Sequence, residues 1–155
     1  MIGDTVYFFA CDRGDCSVAR VPRARADERA AFEFYDGSAW VADIAEAVTV
    51  IRSVGAAHSV TWNAHLGRYL SITSAFFSND VLIRTAEHVE GPWPTSGLRI
   101  TPSDGGILPA GEGSNYLAQE HVALSSTDGT AVVISYSRPM GFFRGEVRLA
   151  RLTLE

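Results

Sequence analysis

Lysine is missing from this sequence: all 13 basic residues are arginine. Alongside abundant alanine, glycine and aspartate, that usage points to GC-rich bacterial coding and carries no functional message. Positive charge is in deficit too, with 13 basic residues against 18 acidic ones and a formal net charge of -5. A net acidic surface repels phosphate backbones, so no nucleic-acid partner is expected. No apolar run approaches the ~20 residues of a membrane-spanning helix. The start, Met1-Ile2-Gly3-Asp4 followed by the short apolar run Val6 to Ala10, has neither the basic flank nor the apolar length of a secretory signal, and none is expected in this chain. Gly-Lys-Ser/Thr is absent, which argues against a phosphate-cradling loop, and no local signature of a Ser-His-Asp triad is present. No cofactor is expected.

Cysteine is scarce. Cys11 and Cys16 are separated by Asp-Arg-Gly-Asp in what reads as a hairpin loop. A second Cys or His pair is lacking, so no metal site is expected from this spacing. Two readings stay open: a disulfide clamping the hairpin, which implies an oxidising compartment, or two reduced thiols.

What is present is a globular composition, 46% hydrophobic and 20% charged over 155 residues. That is enough for one domain with a real core. One layout recurs three times. Thr5 to Phe9 is followed by a loop and Ser17 to Val21. Arg68 to Thr73 is followed by a loop and Val81 to Ala86. Ala131 to Tyr136 is followed by a loop and Val147 to Leu152. Phe8, Leu70 and Val133 recur at a spacing of roughly 63 residues, a length suited to one propeller blade. The segments are rich in β-branched and aromatic residues and bounded by Gly, Asp, Asn or Pro, the chemistry of strands and turns. Helical signal is thin: a turn or two over Arg23 to Ala31 and Asp43 to Ala47.

The middle repeat is complete, with an inner strand over His58 to Asn63, a turn at Ala64 to Gly67, two further strands, a turn at Glu90 to Trp93 and an outer strand over Leu98 to Thr101. The last repeat is expected to place its inner strand near Glu120 to Ser125. The first is expected to open on its second strand, giving about ten strands: three, four and three. The expected fold is all-β, a single domain over 1–155 forming a partial β-propeller of about two to three blades of four-stranded antiparallel sheet, with blade-like repeats at roughly 1–50, 51–105 and 106–155. Such a set leaves open blade faces. The expectation is therefore a homo-oligomer or association with missing blades, supplied upstream in a longer chain or by another chain. A truncated gene product, or a start codon assigned too late, stands behind both.

The strand His58-Ser-Val-Thr-Trp-Asn with its return Leu66-Gly-Arg-Tyr-Leu70, together with Leu82-Ile-Arg-Thr-Ala86 and Gly91-Pro-Trp93, resembles the C-terminal half of a bacterial five-bladed propeller family. That family has long been labelled a domain of unknown function and is related to arabinanase-like furanosidase propellers. Some members are endo-acting hydrolases of D-arabinan in mycobacterial cell walls. The resemblance implies the C-terminal blades of a glycoside hydrolase acting on arabinofuranose-type polysaccharide, secreted or associated with the cell wall, with a polysaccharide or oligosaccharide as partner. It also implies that the catalytic acids lie largely in earlier blades. Relatives commonly carry an acidic residue where this chain has His58, and a proline where Val122 follows His121.

Glycoside hydrolysis usually needs two carboxyl groups flanking the scissile bond. Glu120 is the one inner-strand carboxylate placed to face a funnel and is the candidate catalytic residue; otherwise it is a strand-end Glu in a salt bridge. His58 and His121 are candidates to hydrogen-bond sugar hydroxyls, or else neutral histidines bonded to backbone. Trp62 and Tyr116 are candidate substrate-binding aromatics, whereas Trp93 is assigned to the core behind its Gly-Pro turn and Asn63 to turn chemistry. The Gly-rich stretch from Asp104 to Ser114 reads as a long loop. The alternative function is a non-catalytic carbohydrate-binding or structural propeller fragment.

Overall fold

The computed structural model describes residues 2–102, 114–141 and 144–154. Asp104 to Gly113, most of the Gly-rich stretch, lies outside the described residues. Eleven strands form three antiparallel sheets among the described residues. The first sheet runs β1 (Thr5–Asp12), β2 (Asp15–Pro22), β3 (Glu33–Tyr35) and β4 (Trp40–Val41). The second runs β5 (His58–Asn63), β6 (Arg68–Ser74), β7 (Val81–Ala86) and β8 (Leu98–Ile100). The third contains β9 (Tyr116–Glu120), β10 (Ala131–Gly141) and β11 (Arg144–Thr153). Within each sheet, consecutive strands are neighbours, the up-and-down order of propeller blades. The fold is all-β: the described residues contain three short 3-10 turns and no α-helix, and the turns at Arg23–Arg25, Arg29–Ala31 and Ile44–Glu46 fall where weak helical signal was read.

Two expectations need correction. The first sheet has four strands rather than three, because Asp36 closes a tight turn that lets Trp40–Val41 pair back onto β3: its Oδ1 accepts from the backbone N–H groups of Ser38 and Ala39, both at 2.7 Å. The inner strand of the last sheet lies at Tyr116–Glu120, ahead of the expected 120–125. Residues after His121 turn instead, with the N–H of Ser125 bonded to His121 O at 3.1 Å. The signal for β9 is weak because Leu117 sits at φ 60°, which breaks the regular alternation of an extended strand.

Stacking follows from alternation along the middle strands. Leu70, Ile72, Val81 and Ile83 point to one face and pack with Ala118, Val132, Ile134 and Tyr136 of the third sheet. Val60, Tyr69 and Ala86 point to the other face and join Cys16, Ile51, Val54, Phe9 and Trp93. The middle sheet is thus sandwiched between its sequence neighbours. Trp93 is 7% exposed, with its indole N–H on Val89 O at 3.1 Å, as expected for a core residue behind a turn. Gly91 holds φ +106°, and a Cβ there would lie 2.6 Å from the backbone N of Trp93, so only glycine fits.

Candidate functional site

β5 is the innermost strand of the middle sheet, and its alternation divides the candidate residues between two faces. Ser59, Thr61 and Asn63 turn toward the third sheet. The N–H of Glu120 donates to Ser59 Oγ at 2.8 Å, and Asn63 Nδ2 donates to Gly129 O at 2.9 Å. Asn63 also accepts from the N–H of Leu66 at 2.9 Å, the turn role read from the sequence. The Glu120 carboxylate is clasped from both sides. The Thr61 hydroxyl donates to one oxygen, and Ser125 Oγ donates to the other at 3.0 Å. Ser125 Oγ in turn accepts from the N–H of Val133 at 2.9 Å, which fixes its rotamer. Glu120 is half-buried, and its partners are hydroxyls rather than an arginine.

His58 and Trp62 lie on the opposite face of β5. They line a cavity of about 580 Å³ with Ile2, Tyr7, Phe9 and Tyr69 among its walls. Trp62 is 55% exposed and meets the Tyr69 ring edge-on at 5.0 Å between centroids. Thr61, which bonds the Glu120 carboxylate, and Val122 also line this cavity. Its lining is mostly aromatic and aliphatic, with His58 and Thr61 as polar groups.

The two histidines make like contacts from different places: His58 opens β5, and His121 follows the end of β9. His58 Nε2 lies 2.9 Å from Ser71 Oγ, and His121 Nε2 lies 2.7 Å from Ser135 Oγ. Each histidine is thus pinned by a buried serine of the adjacent strand, which orients the ring and occupies one nitrogen. Burial, and then the charge of Arg84, push the His58 imidazole down to about 4, so it is neutral over the ordinary pH range. His121 is adjacent to Glu120 in the chain, whereas Tyr116 starts β9, four residues earlier, and is 45% exposed. Tyr116 pairs with Ser137 at the far end of β9, whereas Glu120 pairs with Ile134, so Tyr116 is not brought into this group.

Arg84 was not singled out in the sequence. It sits on β7 opposite Ser71, 2% exposed, with Nη2 only 3.5 Å from Ser53 O and with Nε and Nη1 lacking any partner among the described residues. Its signal was there: one arginine in the middle of the apolar strand Val81-Leu-Ile-Arg-Thr-Ala86. The serine and threonine partners Thr61, Ser71, Ser125 and Ser135 carried no comparable signal.

Residues 2–139 match the family described as Domain of unknown function (DUF4185). The chain belongs to this family. Among curated proteins, none matches it. Among solved structures, this family member is similar to a Bacteroides ovatus protein described as "a putative hydrolase", with 24% sequence identity and a TM-score of 0.64. The alignment covers 90% of this chain and 37% of that one, so the chain spans little more than a third of its length. At this identity the likeness speaks for the shared propeller-type fold.

Proposed function

We propose that this chain is a glycan-directed part of a hydrolase-like propeller, seating an oligosaccharide of arabinofuranose type along the cavity beside β5. The observation that carries this reading is the Glu120 carboxylate, held by Ser125 and by Thr61, which itself lines the aromatic cavity of Tyr7, Trp62 and Tyr69. A carboxylate already fixed by two hydroxyls loses little freedom when it accepts a further hydrogen bond from a sugar hydroxyl. Exposed Trp62 offers a flat apolar surface to a sugar ring. His121, with Nε2 engaged by Ser135, retains Nδ1 for a ligand.

Hydrolysis in this reading needs a second carboxyl group across the scissile bond from Glu120. That group would come from further blades, which would also cover Val147 and Leu149, 72% and 63% exposed on β11. Without them, the same cavity serves a binding module. Calorimetric titration with arabinofuranose oligosaccharides tests the shared core of both readings. Trp62→Ala and Glu120→Gln are each expected to weaken binding at least tenfold. Unchanged affinity in both variants would retire the site. Reducing-sugar release by the chain would distinguish cleavage from binding alone.

A further inference from the structure

The fold brings the two hairpin cysteines against a histidine from another sheet. Cys11 and Cys16 are cross-strand partners at the β1–β2 turn. One ligand-capable atom from each, together with a ring nitrogen of His58 on β5, all lie within 4.8 Å of one another. In the oxidised protein the sulfurs are bonded to each other at 2.01 Å and offer nothing to a cation. We propose that reduction of this disulfide turns Cys11, Cys16 and His58 into a Cys2His site for a thiophilic d10 cation, with Zn2+ as the reference ion. The hairpin then exchanges a disulfide clamp for a metal clamp that also ties the first sheet to the second.

The chemistry balances with a dithiol as reductant. It supplies two electrons and two protons, becomes a disulfide itself, and leaves two thiols on the hairpin. The cation displaces those two protons, because each cysteine binds as its thiolate. Two thiolates, a neutral imidazole and Zn2+ sum to zero charge, so the filled site adds no net charge near the buried Arg84. The four residues between the cysteines fall within the usual spacing of paired zinc ligands. Tetrahedral coordination at ~2.3 Å for sulfur and ~2.0 Å for nitrogen needs ligand atoms about 3.5–3.8 Å apart, within reach of the present arrangement once the sulfurs part.

The frame also favours it. Cys16 is fully buried, and its backbone is bonded at both ends, N–H to Ile51 O and O from the N–H of Val50, each at 2.8 Å. That leaves Cys11, exposed near the end of β1, as the side chain with room to make the adjustment. Ser71 Oγ at 2.9 Å from Nε2 of His58 supplies the outer partner that orients a ligating imidazole, which leaves Nδ1 for the ion. His58 also lines the 580 Å³ cavity, so water can reach a fourth position.

Titration of the purified chain with Co2+, then Zn2+, in a phosphine reductant tests the proposal. The reduced chain should bind one Co2+ with a thiolate charge-transfer absorption that Zn2+ displaces, and the oxidised chain should show neither. Cys16→Ser should abolish the absorption, and His58→Gln should weaken Zn2+ binding at least tenfold, while exposed His65→Gln should match the wild type. The proposal is overturned by a reduced wild type with no such absorption, or by equal Zn2+ affinity in His58→Gln. It is equally overturned if the reduced, metal-free chain loses its β-sheet circular dichroism, because the backbone must hold the ligands in place before the ion arrives.

Discussion

Toward the third sheet, the middle sheet presents Leu70, Ile72, Val81 and Ile83, which close on Val132, Ile134 and Tyr136 with every one of these side chains buried. Toward the first sheet, the same three strands present His58, Ser71, Thr73 and Arg84, next to a disulfide and beside a 580 Å³ cavity. Both seams are built by the alternation of β5, β6 and β7, yet one is filled by aliphatic side chains while the other sets a smaller apolar cluster around Trp93 beside buried polar groups and a cavity. The filled seam gains ~1.5–3 kcal/mol for each fully buried aliphatic side chain. The hollow seam carries the cost of a buried guanidinium with two donors unpartnered among the described residues. The aliphatic cluster and the buried guanidinium thus lie on opposite sides of one sheet.

The largest effect expected from this contrast is on the filled seam. Ile72 is 0% exposed and central to the apolar cluster, so Ile72→Ala should cost about 2–5 kcal/mol, read as a lowered urea midpoint at unchanged slope. Val60→Ala, across the hollow seam where Val60 lines the cavity, should cost clearly less. Equal losses would show that the two seams pack alike and erase the comparison.

The next effect belongs to the hollow seam and depends on pH. His58 titrates near 4 in the folded chain, because burial and Arg84 disfavour its charged form, against ~6.5 when unfolded. Between those values the unfolded state binds more protons. The contribution of His58 to stability is therefore complete above pH ~6.5 and is lost as pH falls toward 4, by roughly 2–3 kcal/mol in all. Denaturation midpoints of the oxidised protein at pH 7 and pH 5 should differ, and His58→Gln should shrink that difference. A variant with the wild-type pH slope would assign the loss to other groups.

Much of this architecture can be read from the order of residues. The recurrence of Phe8, Leu70 and Val133 located β1, β6 and β10, the first strand of one sheet and the second of the other two, and Asn63 and Trp93 took the turn and core roles that their neighbours suggested. β9 was misplaced because its pairing depends on distant partners: Ala118 N–H bonds to Ser74 Oγ at 3.0 Å, and Glu120 N–H to Ser59 Oγ. The site was legible in part. Glu120, His58, His121 and Trp62 were singled out by type and strand position, but a sequence does not say which face of β5 meets which sheet. It was therefore silent on the separation of His58 from Glu120. The meeting of His58 with Cys11 and Cys16 joins residues more than forty positions apart, and no local pattern encodes such a contact.

The smallest expected effect cuts the comparison most finely. If Arg84 is a cost carried by the hollow seam, replacing it with an apolar side chain of similar length should relieve that cost. Arg84→Met should leave stability unchanged or raise it by about 1 kcal/mol. It should also narrow the pH dependence, because His58 would no longer face a neighbouring cation. A loss of more than 2 kcal/mol would instead mean that the guanidinium holds a partner across this seam, since removing one member of a buried pair strands the other. In that case this side of the sheet is stabilised through its charge rather than in spite of it.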